Sequence, residues 1–193
     1  MAVNLSKGQR VTLDNSMTMA LVDLGWDTNQ YDGAFDFDLD ASVFLLGSNG
    51  KCARDEDFIF YGNLSSRNGA VVHQGDNRVG GGDGENVIID FTKIPADVEK
   101  LAICVTIDQA VERRQNFGQV QNAYIRIAKI ANEFDLNGED QLRFDLDEEF
   151  SIETAIVVCE IYKRDGLWKF NAVGAGYQGG LAALVTNYGL QVE

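Results

Sequence analysis

Phe35-Asp36-Phe37-Asp38-Leu39-Asp40-Ala41-Ser42-Val43-Phe44-Leu45-Leu46 alternates apolar and acidic side chains and then passes into a largely apolar run. Successive side chains of a strand point to opposite faces, so the alternation predicts a β-strand over residues 35–46. Asp36, Asp38 and Asp40 would then line one face, neighbours roughly 7 Å apart. Such a row repels itself unless a cation or bulk water compensates it. Two readings compete at this point. One is a site for a hard cation, favoured because Asp has low strand propensity and recurs here; the other is the solvated face of an edge strand, where charge also discourages aggregation.

The same strand chemistry recurs along the chain. Runs rich in Val, Ile and aromatics, bounded by Gly, Asn and Asp, read as strands at Arg10 to Leu13, Thr18 to Leu24, Phe58 to Tyr61, Val87 to Phe91, Leu101 to Ile107, Ala123 to Ile130, Leu142 to Leu146, Thr154 to Tyr162 and Trp168 to Val173. Asn137-Gly138, between Phe134-Asp135-Leu136 and Leu142-Arg143-Phe144, carries a hairpin signal because both residues tolerate positive φ. Helices are expected only at Gln109 to Asn116 and Leu181 to Tyr188. Gly174 to Gly180 reads as a tight turn into the last helix, with a ligand-facing loop as the alternative. The expected fold is mainly β: a two-sheet β-sandwich with a few short helices.

A chain of 193 residues suits one sizeable domain, and no linker or charge block divides it, so residues 1–193 are read as a single domain. Acidic residues outnumber basic ones 30 to 16, a formal charge of -14. No Lys/Arg cluster exceeds Arg113-Arg114, which argues against nucleic-acid binding, since phosphate contacts need a basic stripe. The acid excess suits cations and also serves solubility. Cys52, Cys104 and Cys159 are odd in number and lack C-x-x-C spacing, pointing to a reducing, cytoplasmic setting. No apolar run is long enough to span a bilayer and no signal-peptide pattern opens the chain, so direct membrane insertion is not expected.

A second acidic stretch is Gly75-Asp76-Asn77-Arg78-Val79-Gly80-Gly81-Gly82-Asp83-Gly84-Glu85. Its glycines leave the backbone free to curl oxygen donors around a hard cation. Calcium takes six to eight oxygens at about 2.3–2.6 Å, and Asp36, Asp38, Asp40, Asp76, Asn77, Asp83 and Glu85 supply that inventory, with Asp27 of Gly25-Trp26-Asp27 as an addition. The plain alternative for this stretch is a flexible polar loop. No EF-hand accounts for these residues, because a loop opening at Asp36 has Ala41 and Gly47 where Gly and Glu are needed. Asp135 to Asp140 and Asp145 to Glu149 read more simply as a hairpin and a solvated strand end. Arg113 to Gln119 forms a cationic and amide patch, set either to receive an acidic partner or to pair with the domain's own carboxylates.

Catalysis finds little support. His73 is the single histidine, which excludes a multi-histidine metal centre, and no G-x-S-x-G, P-loop or dinucleotide-binding context is present. The chain is read as a non-enzyme.

Taken together, several motifs resemble the tellurium-resistance TerD family. They are Gly25-Trp26-Asp27, Phe37-Asp38-Leu39-Asp40-Ala41-Ser42, Asp57-Phe58-Ile59-Phe60-Tyr61, His73-Gln74-Gly75-Asp76-Asn77, Gly82-Asp83-Gly84, Arg114-Gln115-Asn116-Phe117-Gly118-Gln119, Asn122-Ala123-Tyr124-Ile125-Arg126 and Trp168-Lys169-Phe170-Asn171. They follow in order along essentially the whole chain. The resemblance implies a β-sandwich that binds two calcium ions in adjoining loops without enzymatic activity. It also implies a role in bacterial stress systems, acting with other Ter-type proteins at or near the membrane. Asp38, Asp40, Asp76, Asn77 and Asp83 match the family's acidic motif, and Asp27 its Gly-Trp-Asp. The chain departs where many relatives carry a longer acidic run after Gly-Asp-Gly, having only Glu85 and then Asn86. The function expected is that of a calcium-binding stress-response protein whose acidic loops order around the ion and recruit a partner. The alternative is a calcium-dependent module for membrane surfaces or carbohydrate.

Overall fold

Strands that bury every second side chain need a second layer to cover them. In the computed structural model, which describes residues 2–29, 35–75, 84–146 and 150–191, they form two six-stranded sheets. The first holds β1 (Val3–Leu5), β3 (Met19–Gly25), β6 (Val71–His73), β7 (Glu85–Asp90), β9 (Tyr124–Lys129) and β10 (Glu139–Asp145), in the order β1-β10-β9-β3-β7-β6. The second holds β2 (Arg10–Thr12), β4 (Leu39–Leu46), β5 (Phe58–Ile59), β8 (Lys100–Ile107), β11 (Ala155–Arg164) and β12 (Leu167–Tyr177), in the order β2-β12-β11-β8-β4-β5. All pairings are antiparallel except that of β1 with β10. This is the mainly β, two-sheet architecture expected from the pattern.

The core lies between the sheets. Ala20, Val22 and Leu24 of β3, with Val87 and Ile89 of β7, face Leu39, Ala41, Val43 and Leu45 of β4 and Leu101, Ile103 and Val105 of β8. The alternate residues of β4 are not released to solvent. Phe44 and Leu46 join Cys104, Ala155 and Val157 in a further apolar cluster on the outer face of the second sheet. That face is roofed by α2 (Gly180–Asn187), whose Leu184 and Val185 are buried with Tyr188 just beyond. Leu181, Leu184, Val185 and Tyr188 fall at i, i+3, i+4 and i+7, one stripe of a helix. α2 stops where Gly189 takes φ +88° and the N–H of Leu190 returns to the carbonyl of Val185 at 3.0 Å, a left-handed cap that glycine adopts without a Cβ clash. Among the described residues no helix is long and apolar enough to cross a membrane.

Local differences from the expected elements have identifiable causes. The strand expected from Phe35 begins only at Leu39, for reasons given below. The Asn137-Gly138 hairpin joining 134–136 to 142–144 does not form. β10 pairs instead with β9 across a longer connection, in which Gly138 alone has positive φ (+57°). There Asp135 accepts backbone N–H groups from Gly138 (3.0 Å) and Asn137 (3.3 Å), which holds its carboxyl below the usual range. The helix expected at 109–116 is the single turn α1 (Ala110–Arg113). Gly174 to Tyr177 continues β12, because Tyr177 and Gly176 pair with Ala155 and Ile156; the turn into α2 falls at Gly179 and Gly180. β1 and β6, three residues each, were not among the expected strands.

Phe44 is fully buried, stacked on Phe58 at 4.3 Å with Tyr188 at 4.6 Å, so it couples β4, β5 and α2. Replacing it by alanine should cost about 3–5 kcal/mol, and replacing it by leucine about 1–2 kcal/mol, read as shifts in urea denaturation. A leucine variant as stable as the parent would show that apolar volume, and not the ring stack, is what holds α2.

Candidate functional site

The carbonyls of residues 35–37 are held by side-chain donors from elsewhere in the chain rather than by a neighbouring strand. The side-chain amide of Gln115 donates to the carbonyls of Phe35 (2.9 Å) and Asp36 (3.1 Å). The buried indole N–H of Trp26, just past β3, donates to the carbonyl of Phe37 at 3.0 Å. The backbone N–H of Asp108 donates to the carbonyl of Asp38 at 2.9 Å. These contacts take up the segment's carbonyls, which is why β4 starts late, and they turn the three carboxylates to different fates. Asp36 is exposed, whereas Asp38 and Asp40 are only 7% and 6% exposed. A solvated edge does not describe Asp38 and Asp40.

Arg113 lies against this segment. Its guanidinium sits 3.7 Å from Asp38 Oδ2 and 3.5 Å from Asp108 Oδ2, with the Phe35 ring centroid at 5.9 Å. The cationic patch read at residues 113–119 is thus turned partly onto the domain's own acids. Asp40 borders a cavity of about 290 Å³ that Thr106, Asp108, Glu112 and Thr154 also line.

Glu85 opens β7 with a side chain sealed from solvent. Its Oε2 accepts the backbone N–H of Ala41 at 2.6 Å and lies 3.3 Å from His73 Nε2. His73 Nδ1 accepts the N–H of Gly75 at 3.1 Å, which leaves Nε2 of the neutral ring to carry the hydrogen and donate to Glu85. Because β5 pairs with β4 only at Val43 and Phe44, the Ala41 N–H lies past its end and is open to this carboxylate. Glu85 therefore joins β7 of one sheet to β4 of the other. Directly before it, a Cβ on Gly84 would overlap the carbonyl of Leu24, so the backbone there passes β3 at a distance only glycine permits.

Asp27 is half-buried. Its Oδ2 accepts from Asn122 Nδ2 at 2.5 Å, and its N–H donates to the carbonyl of Gln121 at 3.0 Å. Asp76, Asn77 and Asp83 lie outside the described residues, in the connection between β6 and β7. Among the described residues no three His, Cys, Asp or Glu side chains converge as a metal cage. Sequence reasoning missed Asp108 and the hydrogen-bonding roles of Trp26 and Gln115. Both latter residues stand within motifs that the sequence singles out, while Asp108 carries no such signal.

The thiols are sheltered. Cys52, Cys104 and Cys159 are all free and buried; burial pushes the Cys52 thiol up to about 11 and raises the other two as well. Such groups hold almost no thiolate near neutral pH.

Comparison with known proteins adds relatives to this geometry. A TerD domain model matches residues 1–188. The chain is 51% identical to general stress protein 16U of Bacillus subtilis and 50% identical to tellurium resistance protein TerD of Serratia marcescens, each over 100% of both chains. It is 56% identical to the B. subtilis protein YceE, again over the full length of both. In fold it is similar to the crystal structure of a homologue of the telluride resistance protein TerD from Streptomyces coelicolor A3(2), with a TM-score of 0.70 at 18% identity, covering 92% of this chain and 100% of that one.

Two outcomes are expected. In chelator, so that no metal contributes, Glu85→Ala should lose about 2–4 kcal/mol in denaturant unfolding by orphaning the Ala41 N–H and His73. Asp36→Ala should stay within about 0.5 kcal/mol of the parent; equal losses would remove the inter-sheet role of Glu85. A disulfide-exchange reagent should label no cysteine in the native protein and all of them once unfolded; rapid native labelling would show that the fold opens around Cys52.

Proposed function

The chain belongs to the TerD domain family, and from this premise we propose that it is a calcium-binding stress-response protein that works by ordering its acidic loops around the ion and recruiting a partner. The observation that carries the reading is the burial of Asp38 and Asp40 on the segment that Glu85, at the start of β7, bonds through Ala41. Buried carboxylates are retained where a cation or donors meet them. The donors are hard oxygens, which suits calcium. Asp36, Asp38 and Asp40 would hold the ions with Asp27 nearby and with Asp76, Asn77 and Asp83 from the β6–β7 connection. Two ions are in keeping with that many donors. Glu85 acts in this reading through Ala41 and His73, fixing the platform from which the ligands project.

The names of the relatives, a general stress protein and a tellurium resistance protein, support a protective role. The sheltered thiols argue that this protein does not meet tellurite through sulfur. Free, buried cysteines suit a cytoplasmic setting. Partners are then other Ter-type stress proteins, with membrane association supplied by them. Turnover has no place in the mechanism, since His73 is fully engaged by Gly75 and Glu85. One observation favours the second reading, a calcium-dependent membrane surface: Phe35 and Val111 are 65% and 77% exposed near the acidic segment. Calcium-dependent sedimentation with liposomes, lost on Val111→Asp, would select it.

Calorimetric titration of chelator-stripped protein is the direct test. Calcium should bind in preference to magnesium, and Asp38→Ala and Asp83→Ala should each weaken binding by about tenfold or more, a change of about 1.4 kcal/mol. At about a hundredfold excess over Kd, calcium should add about 2.7 kcal/mol to stability. No heat of binding up to millimolar calcium would overturn the proposal.

A further inference from the structure

The outer face of the second sheet carries a groove that the acidic loops do not use. Between α2 and the helical turn Asp55–Asp57, a trough of about 860 Å³ has Phe58, Phe60, Leu181, Val185 and Leu190 as its apolar lining. Its aromatic wall is already assembled, with Phe44 stacked on Phe58 at 4.3 Å and Phe58 on Phe60 at 4.4 Å. Asp55 and Glu56 stand exposed on its rim.

The charge of that rim is one-sided. No lining residue is a cation. The nearby arginines are tied elsewhere: Arg54 to Asp97 at 2.9 Å, and Arg67 to Asp57 at 3.2 Å and to Asp97 at 2.6 Å. Those hydrogen bonds hold the Asp97 carboxyl down to about 2. Lys51 is also committed, its ammonium donating to the carbonyl of Asn187 at 2.6 Å. Among the described residues, Asp55 and Glu56 form no ion pair.

An apolar trough with an acidic rim selects an occupant that brings apolar side chains and positive charge together. We propose that this groove docks an amphipathic, cationic segment of a protein partner, laid alongside α2 with its basic residues over Asp55 and Glu56. An anionic bilayer or a nucleic acid would meet the rim with like charge. The proposal rests on the reading of the protein as one that works by binding, but not on calcium, since none of the candidate ligands lines the trough.

The test measures fluorescence anisotropy of a labelled helical peptide with Leu at i, i+3, i+4 and i+7 and Lys elsewhere, against the full chain, in chelator and again in calcium. Comparison peptides replace every Lys by Glu, or every Leu by Ser. Ala182→Trp fills the trough from an exposed helix position, and Asp55→Lys with Glu56→Lys reverses the rim; circular dichroism checks that both variants fold. The Leu/Lys peptide should bind at micromolar concentration, and each variant should weaken it by about tenfold or more. The Leu/Glu and Ser/Lys peptides should not bind. The proposal is overturned if no peptide binds, if the Ser/Lys peptide binds equally well through diffuse attraction to the acidic chain, or if Ala182→Trp changes nothing. It is also overturned if anionic vesicles bind in a manner lost in the groove variants. Peptide binding in chelator alongside a failed calcium titration would refute only the calcium reading; the reverse would refute only the groove.

Discussion

A carboxylate sealed from water must be met by donors, and the way Glu85 is met organises one end of this molecule. Its oxygen takes the N–H of Ala41 from the facing sheet and a hydrogen from His73 in the neighbouring strand. Apolar contacts hold the sheets together over most of their area, but they are non-directional and do not by themselves set where one sheet ends against the other. A buried charge-assisted hydrogen bond is directional. It places the start of β7 against β4 next to Asp40, and so brings both ends of the acidic region to one place. Trp26, Gln115 and Asp108 then fix the approach to β4 by holding the carbonyls of residues 35–38.

β4, like β8 beside it, is buried on both faces. Leu39, Ala41, Val43 and Leu45 meet the opposite sheet, while Phe44 and Leu46 lie beneath α2 and the Phe58 ring. The helix also connects two regions of the surface. Leu181 and Ala182 border both the cavity at Asp40 and the apolar trough beside β5. A shift of the first turn of α2 would therefore be felt on both sides of it.

Much of this was legible in the residues. Runs rich in Val, Ile and aromatics, bounded by Gly, Asn and Asp, placed ten of the strands, because such side chains are the ones the two sheets bury; the last helix was also placed, at Leu181 to Tyr188. The acidic alternation at 36, 38 and 40 was also visible, but its meaning was not. Periodicity assumes a neighbouring strand, whereas residues 35–37 are bonded by side chains distant in sequence, and that information resides in Trp26 and Gln115 rather than in the segment. Glu85 resembled one more loop carboxylate because nothing in Gly82-Asp83-Gly84-Glu85 shows that β7 begins there and turns it inward. β1 and β6 were not read, whereas the equally short β2 and the shorter β5 were, because those two lie within longer runs of strand-forming residues.

The placement of β1 and β2 bears on the order in which the chain can assemble. β1 closes the edge of one sheet by pairing Val3 with Leu142, and β2 closes the edge of the other by pairing Arg10 with Asn171. The connection between them is pinned as well, Gly8 donating to the carbonyl of Ala172 at 2.6 Å. β1 and β2 are made well before the strands they pair with, since Leu142 and Asn171 lie far along the chain from Val3 and Arg10. Contacts of such large sequence separation are entropically costly to close and slow to form. Until those pairings form, one open edge on each sheet remains available to other chains. The interval before edge closure is when the chain is itself most exposed to aggregation.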